Sequence, residues 1–151
     1  MRHVFGQFLS RLAANLSLEG LKLDDANQCF LFFDDKFIVR IEWREESGFF
    51  SFVSKLGNVE EGKTVRMYPQ LLEANLLWVR TNGAIFGLQS FSELILLSQH
   101  IPLDRCTSYE DFEKTLETFV NTTEYWSENL DTLTDKPIKQ GLEEVVLYGR
   151  V

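Results

Sequence analysis

Two histidines, His3 and His100, are the candidate bases of this chain, and four adjacent acid pairs offer carboxylates. The pairs are Asp24-Asp25, Asp34-Asp35, Glu45-Glu46 and Glu60-Glu61, and a carboxylate pair can serve glycosidic or metal-assisted chemistry. All four fall in predicted turns, where exposed acids are ordinary. His3 sits beside the amino terminus and His100 just before Ile101-Pro102, in a predicted connection. The sequence has no nucleophile elbow, no phosphate-cradling GxxxxGK[ST], no GxGxxG and no HExxH. Cys29 and Cys106 are far apart, without a CxxC spacing, and read as reduced, buried structural thiols rather than metal ligands. The pattern is that of a protein without catalytic, metal or cofactor sites.

The elements that would carry these residues follow from periodicity. Phe5, Phe8, Leu9, Leu12, Ala13 and Leu16 form one helical stripe. Cys29 to Phe33 is a short apolar run, apolar on both faces. Phe37 to Arg44 alternates, with Phe37, Val39, Ile41 and Trp43 on one face, and Phe49 to Lys55 alternates again, which together predict a three-stranded antiparallel meander. Leu56 to Lys63 reads as a loop, and Pro69 as the first turn of a helix from Tyr68 through Val79, closed by Asn82-Gly83. Ala84 to Leu88 and Glu93 to Ser98 predict two more strands. Ser108 with Asp111 predicts a capping box at the start of a last helix striped by Phe112, Leu116, Phe119, Val120, Thr123 and Leu130. The expected fold is α+β in the order α-β-β-β-α-β-β-α, an antiparallel five-stranded sheet packed by helices, over residues 1–131. Residues 132–151 form a tail that either is mobile or adds a short strand at Val145 to Tyr148.

Composition narrows the partners. With 151 residues, 15 Lys+Arg and 23 Asp+Glu, the net charge is −8, which argues against nucleic acid and against membrane surfaces. No apolar run approaches the ~20 residues of a membrane span, and the amino terminus lacks a signal-peptide core, so a cytoplasmic protein is expected. Residues 107–135 hold eight acids and one base, either a solvated helix face or a docking surface for a basic partner. Apolar residues exceed what one layer of helices covers: Ile38 lies on the charged face of its strand, and Phe49 and Val53 lie opposite Phe50 and Phe52. A second subunit, a peptide ligand, more widely straddling helices or a folded-back tail would each cover the surplus.

Several of these stretches carry a family likeness. Leu71-Leu72-Glu73-Ala74-Asn75-Leu76-Leu77, then Asn82-Gly83-Ala84-Ile85-Phe86-Gly87-Leu88, Leu94 to Ser98 and Ile101-Pro102-Leu103-Asp104 resemble the central signature of the Tir-chaperone family of class I type III secretion chaperones. The first helix, with Phe8-Leu9, Leu12 and Leu16, and a closing acidic helix bearing Trp126, are similar to that family's ends. The likeness spans about residues 4–131, and the tail from Thr132 departs from it.

The resemblance implies a homodimer in the bacterial cytoplasm that binds the amino-terminal segment of a secreted effector and keeps it non-globular, without metal or nucleotide of its own. It implies contact with the secretion ATPase or sorting platform as well. It places the dimer interface on the second helix, at Leu71, Leu72, Asn75, Leu76 and Val79, with Leu77 and Trp78 as either interface or core. The effector groove is expected at Phe5, Phe8, Phe32, Ile38 and Phe49, with a strand added to an exposed sheet edge. A dimeric regulatory or adaptor protein of the same fold, binding a folded partner, is the alternative.

Overall fold

An amphipathic helix has to bury its stripe, and in the computed structural model α1 (Arg2–Asn15) does so through Phe5, Phe8, Leu9 and Leu12. The structure describes residues 2–18, 20–33, 36–59 and 64–130. The Asp34-Asp35 turn, Glu60-Glu61 and the tail lie outside them. Leu16, at the end of the expected stripe, is exposed.

Three strands follow, β1 (Gln28–Phe33), β2 (Phe37–Arg44) and β3 (Phe49–Asn58), and after helix α2 (Thr64–Asn75) come β4 (Ile85–Gln89) and β5 (Leu94–Pro102). They form one antiparallel sheet in the order β1-β2-β3-β5-β4. The last helix, α3 (Tyr109–Asn129), crosses the same sheet face as α1. The three helices and five strands are those expected from the α+β pattern.

Register assigns each side chain to a face, because successive residues of a strand point to opposite sides. Cys29, Leu31, Val39, Ile41, Trp43, Phe50, Phe52, Leu97 and Phe86 share the face under α1 and α3, and all are buried. An aromatic stack forms the centre. Phe5 lies 5.1 Å from Trp43 and 5.0 Å from Phe50, and meets Phe112 edge-on at 5.9 Å. The opposite face carries Phe30, Phe32, Ile38, Arg40, Glu42, Val53, Lys55, Leu96, His100 and Ile85.

Several boundaries differ from the periodicity. β3 runs on through Gly57 and Asn58, expected to be loop, because a bulge at Leu56 restores pairing with Ile95 and Leu94 of β5. Gly57 suits that position, since a Cβ there would lie 3.1 Å from a Leu130 methyl. β5 extends to Pro102 and takes His100 into the sheet. α2 begins at Thr64, so Pro69 lies inside the helix rather than in its first turn.

The capping box forms as expected. Ser108 Oγ accepts from the Asp111 N–H at 3.1 Å, and Asp111 Oδ2 accepts from the Ser108 N–H at 3.0 Å. Hydrogen bonds from the Thr107 and Ser108 side chains, then from the backbone, hold the Asp111 carboxyl below the usual carboxylate range. A depressed pKa stabilises above the unfolded value of ~4, and that contribution disappears as pH falls through the folded value.

Candidate functional site

Three of the residues capable of chemistry are occupied structurally. Asp24 Oδ1 accepts from the N–H groups of Ala26 and Gln28, both at 2.9 Å, and so shapes the entry to β1. Glu45 pairs with Arg2 at 3.4 Å. His100 Nδ1 lies 2.8 Å from Ser51 Oγ on the open sheet face, its ring edge-on to Phe49. No group of three or more His, Cys, Asp or Glu that could hold a metal occurs among the described residues.

Both cysteines are buried and unpaired. Burial pushes the Cys29 thiol up to about 12, the Asp24 carboxylate adding to the shift, and burial raises Cys106 as well. Both are therefore protonated at neutral pH and poor nucleophiles. Iodoacetamide at mildly alkaline pH should leave both unmodified in the folded protein and alkylate both in denaturant, as read by intact mass.

What the fold presents are two sheet edges and two apolar surfaces. In an antiparallel ladder alternate residues turn their N–H and C=O away from the partner strand. On β1 the inward set is fixed by Asn27, whose carbonyl accepts the Trp43 N–H at 2.9 Å. Gln28, Phe30 and Phe32 are thus the outward set. Asp24 takes up both groups of Gln28, its carboxylate accepting the N–H and its own N–H donating to the carbonyl at 2.8 Å. Among the described residues no group takes the outward N–H and C=O of Phe30 and Phe32.

The other edge, β4, is capped differently. Asn75, at the end of α2, donates from Nδ2 to the Phe86 carbonyl at 3.2 Å and accepts the Phe86 N–H on Oδ1 at 2.8 Å. A side chain thus replaces a neighbouring strand and blocks edge pairing there. Asn75→Ala removes both partners and is expected to cost about 1–3 kcal/mol, read as a lower urea midpoint with unchanged slope; an unmoved midpoint would contradict this role.

The expected interface residues separate accordingly. Leu71 is buried in the core and Asn75 is engaged on β4, because their side of α2 faces the sheet. Leu72, Leu76 and Val79 point outward, and Leu77 and Trp78 join them, so five large apolar side chains within eight residues are between 49% and 74% exposed. The helix that periodicity runs to Val79 ends at Asn75, and a 3-10 turn over Leu76–Trp78 follows. Leu77 and Trp78 both have left-handed backbone, at φ 57° and 56°. Bulky residues adopt it at a cost of roughly 1–2 kcal/mol each. Trp126 Nε1 donating to the Arg80 carbonyl at 3.2 Å and Asn82 Nδ2 donating to Thr122 Oγ1 at 2.9 Å tie the following segment to α3.

The expected groove residues separate too. Phe5 and Phe8 are core, because α1 has a single apolar stripe and turns it to the sheet. Phe32 and Ile38 are cross-strand partners on the open face, 74% and 44% exposed. Phe49 is half-buried at the far end of that face, against His100. Phe30, two residues before Phe32 and 46% exposed, belongs with them; the alternation of Gln28 to Phe33 carried that signal.

Hollows flank the exposed edge on both sides. On the helix side a cleft of about 610 Å³ has Leu12, Leu16, Phe33, Leu116 and Val120 at its base and Glu110, Glu113 and Glu117 among its walls. On the open side a smaller one of about 330 Å³ is lined by Phe32, Phe37, Ile38, Lys36 and Lys55. Phe32 and Phe33, adjacent in β1, thus serve opposite hollows. An edge strand whose outer side is open between two apolar hollows is built to take an extended peptide.

Residues 7–127 match the model of the Tir chaperone protein (CesT) family. The chain belongs to that family. Solved structures of similar fold include a chain of the ExsC-ExsE complex, at 23% identity and TM-score 0.73 over 85% of this chain and 94% of that one. The type III secretion chaperone SycH of Yersinia pestis, solved with a fragment of YscM2, is similar at 16% identity and TM-score 0.61, covering 80% and 98%. A chain of the ExoU-SpcU heterodimer from the type III secretion system of Pseudomonas aeruginosa aligns at 18% identity and TM-score 0.59, covering 86% and 97%. A comparison with curated proteins gives no match. The family expected from the Leu71-to-Leu77 and Ile101-to-Asp104 stretches is the one found, and the fold of this Tir-chaperone relative is shared with secretion chaperones. Among its described residues no helix is long and apolar enough to cross a membrane.

Proposed function

We propose that this chaperone binds the amino-terminal segment of one or more type III secretion effectors as an extended strand on β1, holding it non-globular until delivery to the secretion apparatus. The exposed edge at Phe30 and Phe32, with an apolar hollow on either side, is the observation that carries this reading. An unfolded segment gains main-chain hydrogen bonds there and buries alternate apolar side chains. Each well-buried Leu or Ile contributes about 1.5–3 kcal/mol, so a few offset the cost of ordering the segment. Phe30, Phe32 and Ile38 form the contact on the open face, with Phe49 as its far end.

The protein acts as a homodimer in the bacterial cytoplasm, joined through Leu72, Leu76, Leu77, Trp78 and Val79. It has no catalytic step of its own; Asp24 and Asp111 serve as caps and His100 lies on the sheet face. The secretion ATPase or sorting platform is the partner to which the loaded dimer is passed.

Co-expression with the proteins encoded beside it, purification of the complex and limited proteolysis test this. The expected product is a 2:1 complex protecting a short amino-terminal partner segment. A partner held through an intact folded domain would overturn the proposal in favour of an adaptor.

A further inference from the structure

The two hollows beside β1 differ in charge as well as in size. The wall of the larger one, under α1 and α3, carries Glu110, Glu113 and Glu117 against Lys114. Arg11 reaches Glu110 at 2.6 Å, and Glu113 accepts from the Tyr109 hydroxyl at 2.8 Å, so Glu117 at the exposed rim is the acid most open to a newcomer. The smaller hollow has the opposite sign. Lys36 and Lys55 line it, and Arg40 stands in the next cross-strand row, between Phe30 and Val53. Lys36 is shared with Glu124 and Glu128 of α3.

Among the described residues the acid on that part of the open face is Glu42, and it is divided between Arg40 at 3.6 Å and Arg44 at 2.7 Å. Arg40 Nε is buried without a hydrogen-bond partner among the described residues. In a chain of net charge −8, basic groups outnumber acids among the described residues of this face.

A strand added to β1 turns alternate side chains toward these two surfaces. We infer that the docked segment is selected by a charge alternation: Lys or Arg among the apolar side chains facing α1 and α3, Asp or Glu among those facing the open sheet. This rests on strand docking at β1 and adds the partner's chemistry to it. Phe33 and Leu116 take the apolar anchors on one side and Phe32 and Ile38 on the other, while Glu117 and Lys55 read the residues flanking them. A uniformly basic segment, the natural partner of an acidic protein, meets repulsion from Lys55 and Arg40 on one of its faces.

Fluorescence anisotropy of the full chain with four labelled synthetic peptides of about 11 residues, long enough to span an edge strand, tests this. All alternate apolar residues; one carries Lys on one face and Glu on the other, a second has the same composition with both charges mixed on each face, a third has Lys on both faces and a fourth Glu on both. A one-residue slip exchanges a peptide's faces, so the segregated peptide can always find the matching register. It should bind about fivefold more tightly than the mixed one at low salt, the size expected of a few partly exposed ion pairs. That advantage should vanish near ~0.5 M salt.

Lys55→Glu should shift preference to the peptide with Lys on both faces, and Glu117→Lys to the one with Glu on both; both positions are exposed, so the fold is retained. Equal affinity for the segregated and mixed peptides, or preferences unmoved by the two substitutions, would overturn the charge reading while leaving strand docking in place. Absence of binding by all four would overturn both.

Discussion

Phe5→Ala is expected to destabilise the protein by about 3–5 kcal/mol, the range for deleting a buried aromatic side chain. Phe5 is fully buried and its ring meets Trp43, Phe50 and Phe112 within 6 Å, so its removal opens the centre of the aromatic stack that docks α1 on the sheet. The cavity cannot close easily, because Trp43 and Phe50 are held by sheet register and Phe112 by α3. For a domain of this size, each kcal/mol lowers the melting temperature by roughly 2–4 °C. Thermal unfolding should therefore move down by roughly 6–20 °C. Phe32→Ala, on the open face, should leave the transition within a few degrees, since a side chain 74% exposed has little burial to lose. Equal losses at the two positions would contradict the assignment of Phe5 to the core and Phe32 to the binding surface.

Leu72→Asp combined with Val79→Asp is expected to convert the proposed dimer to a folded monomer of 17.6 kDa. Both side chains are more than two-thirds exposed in the single chain, so carboxylates there cost its fold little. In a dimer joined through this face each carboxylate would be buried without a partner, and the dissociation constant should rise at least ~100-fold. Sedimentation of the parent and the variant, with far-ultraviolet circular dichroism as the check on folding, reads the result. A dimer of unchanged stability would place the interface elsewhere. The left-handed Leu77 and Trp78 fit this role, because locally unfavourable backbone that presents two large apolar groups to solvent finds compensation when a second surface covers them.

Much of this was legible from residue types alone, and the particular places where it was not are instructive. Alternation from Phe37 to Trp43 gave the correct buried face of β2, and the Ser108-Asp111 spacing gave the correct start of α3, because both are local rules. Gly57 and Asn58 read as loop since their composition is that of a turn; pairing with β5 across the Leu56 bulge overrides that preference. Pro69 read as a helix start for the same kind of reason, and the helix begins five residues earlier. Phe5 and Phe8 read equally well as core or groove, because periodicity shows that a stripe is apolar without showing what it meets. Asn75 looked like an interface residue within a family motif, and its contact with the Phe86 backbone depends on a strand 11 positions away. The same limit hid Asp24, whose capping of Gln28 decides which part of β1 stays open.

That open stretch is the centre of the functional account, and amide hydrogen exchange on the purified complex with a co-expressed partner measures it directly. Docking of an extended segment on β1 predicts that the Phe30 and Phe32 amides, which point away from β2, exchange quickly in the free protein and become strongly protected in the complex, while Leu88 on the opposite edge changes little. Unchanged exchange at Phe30 and Phe32 in a stable complex would contradict it.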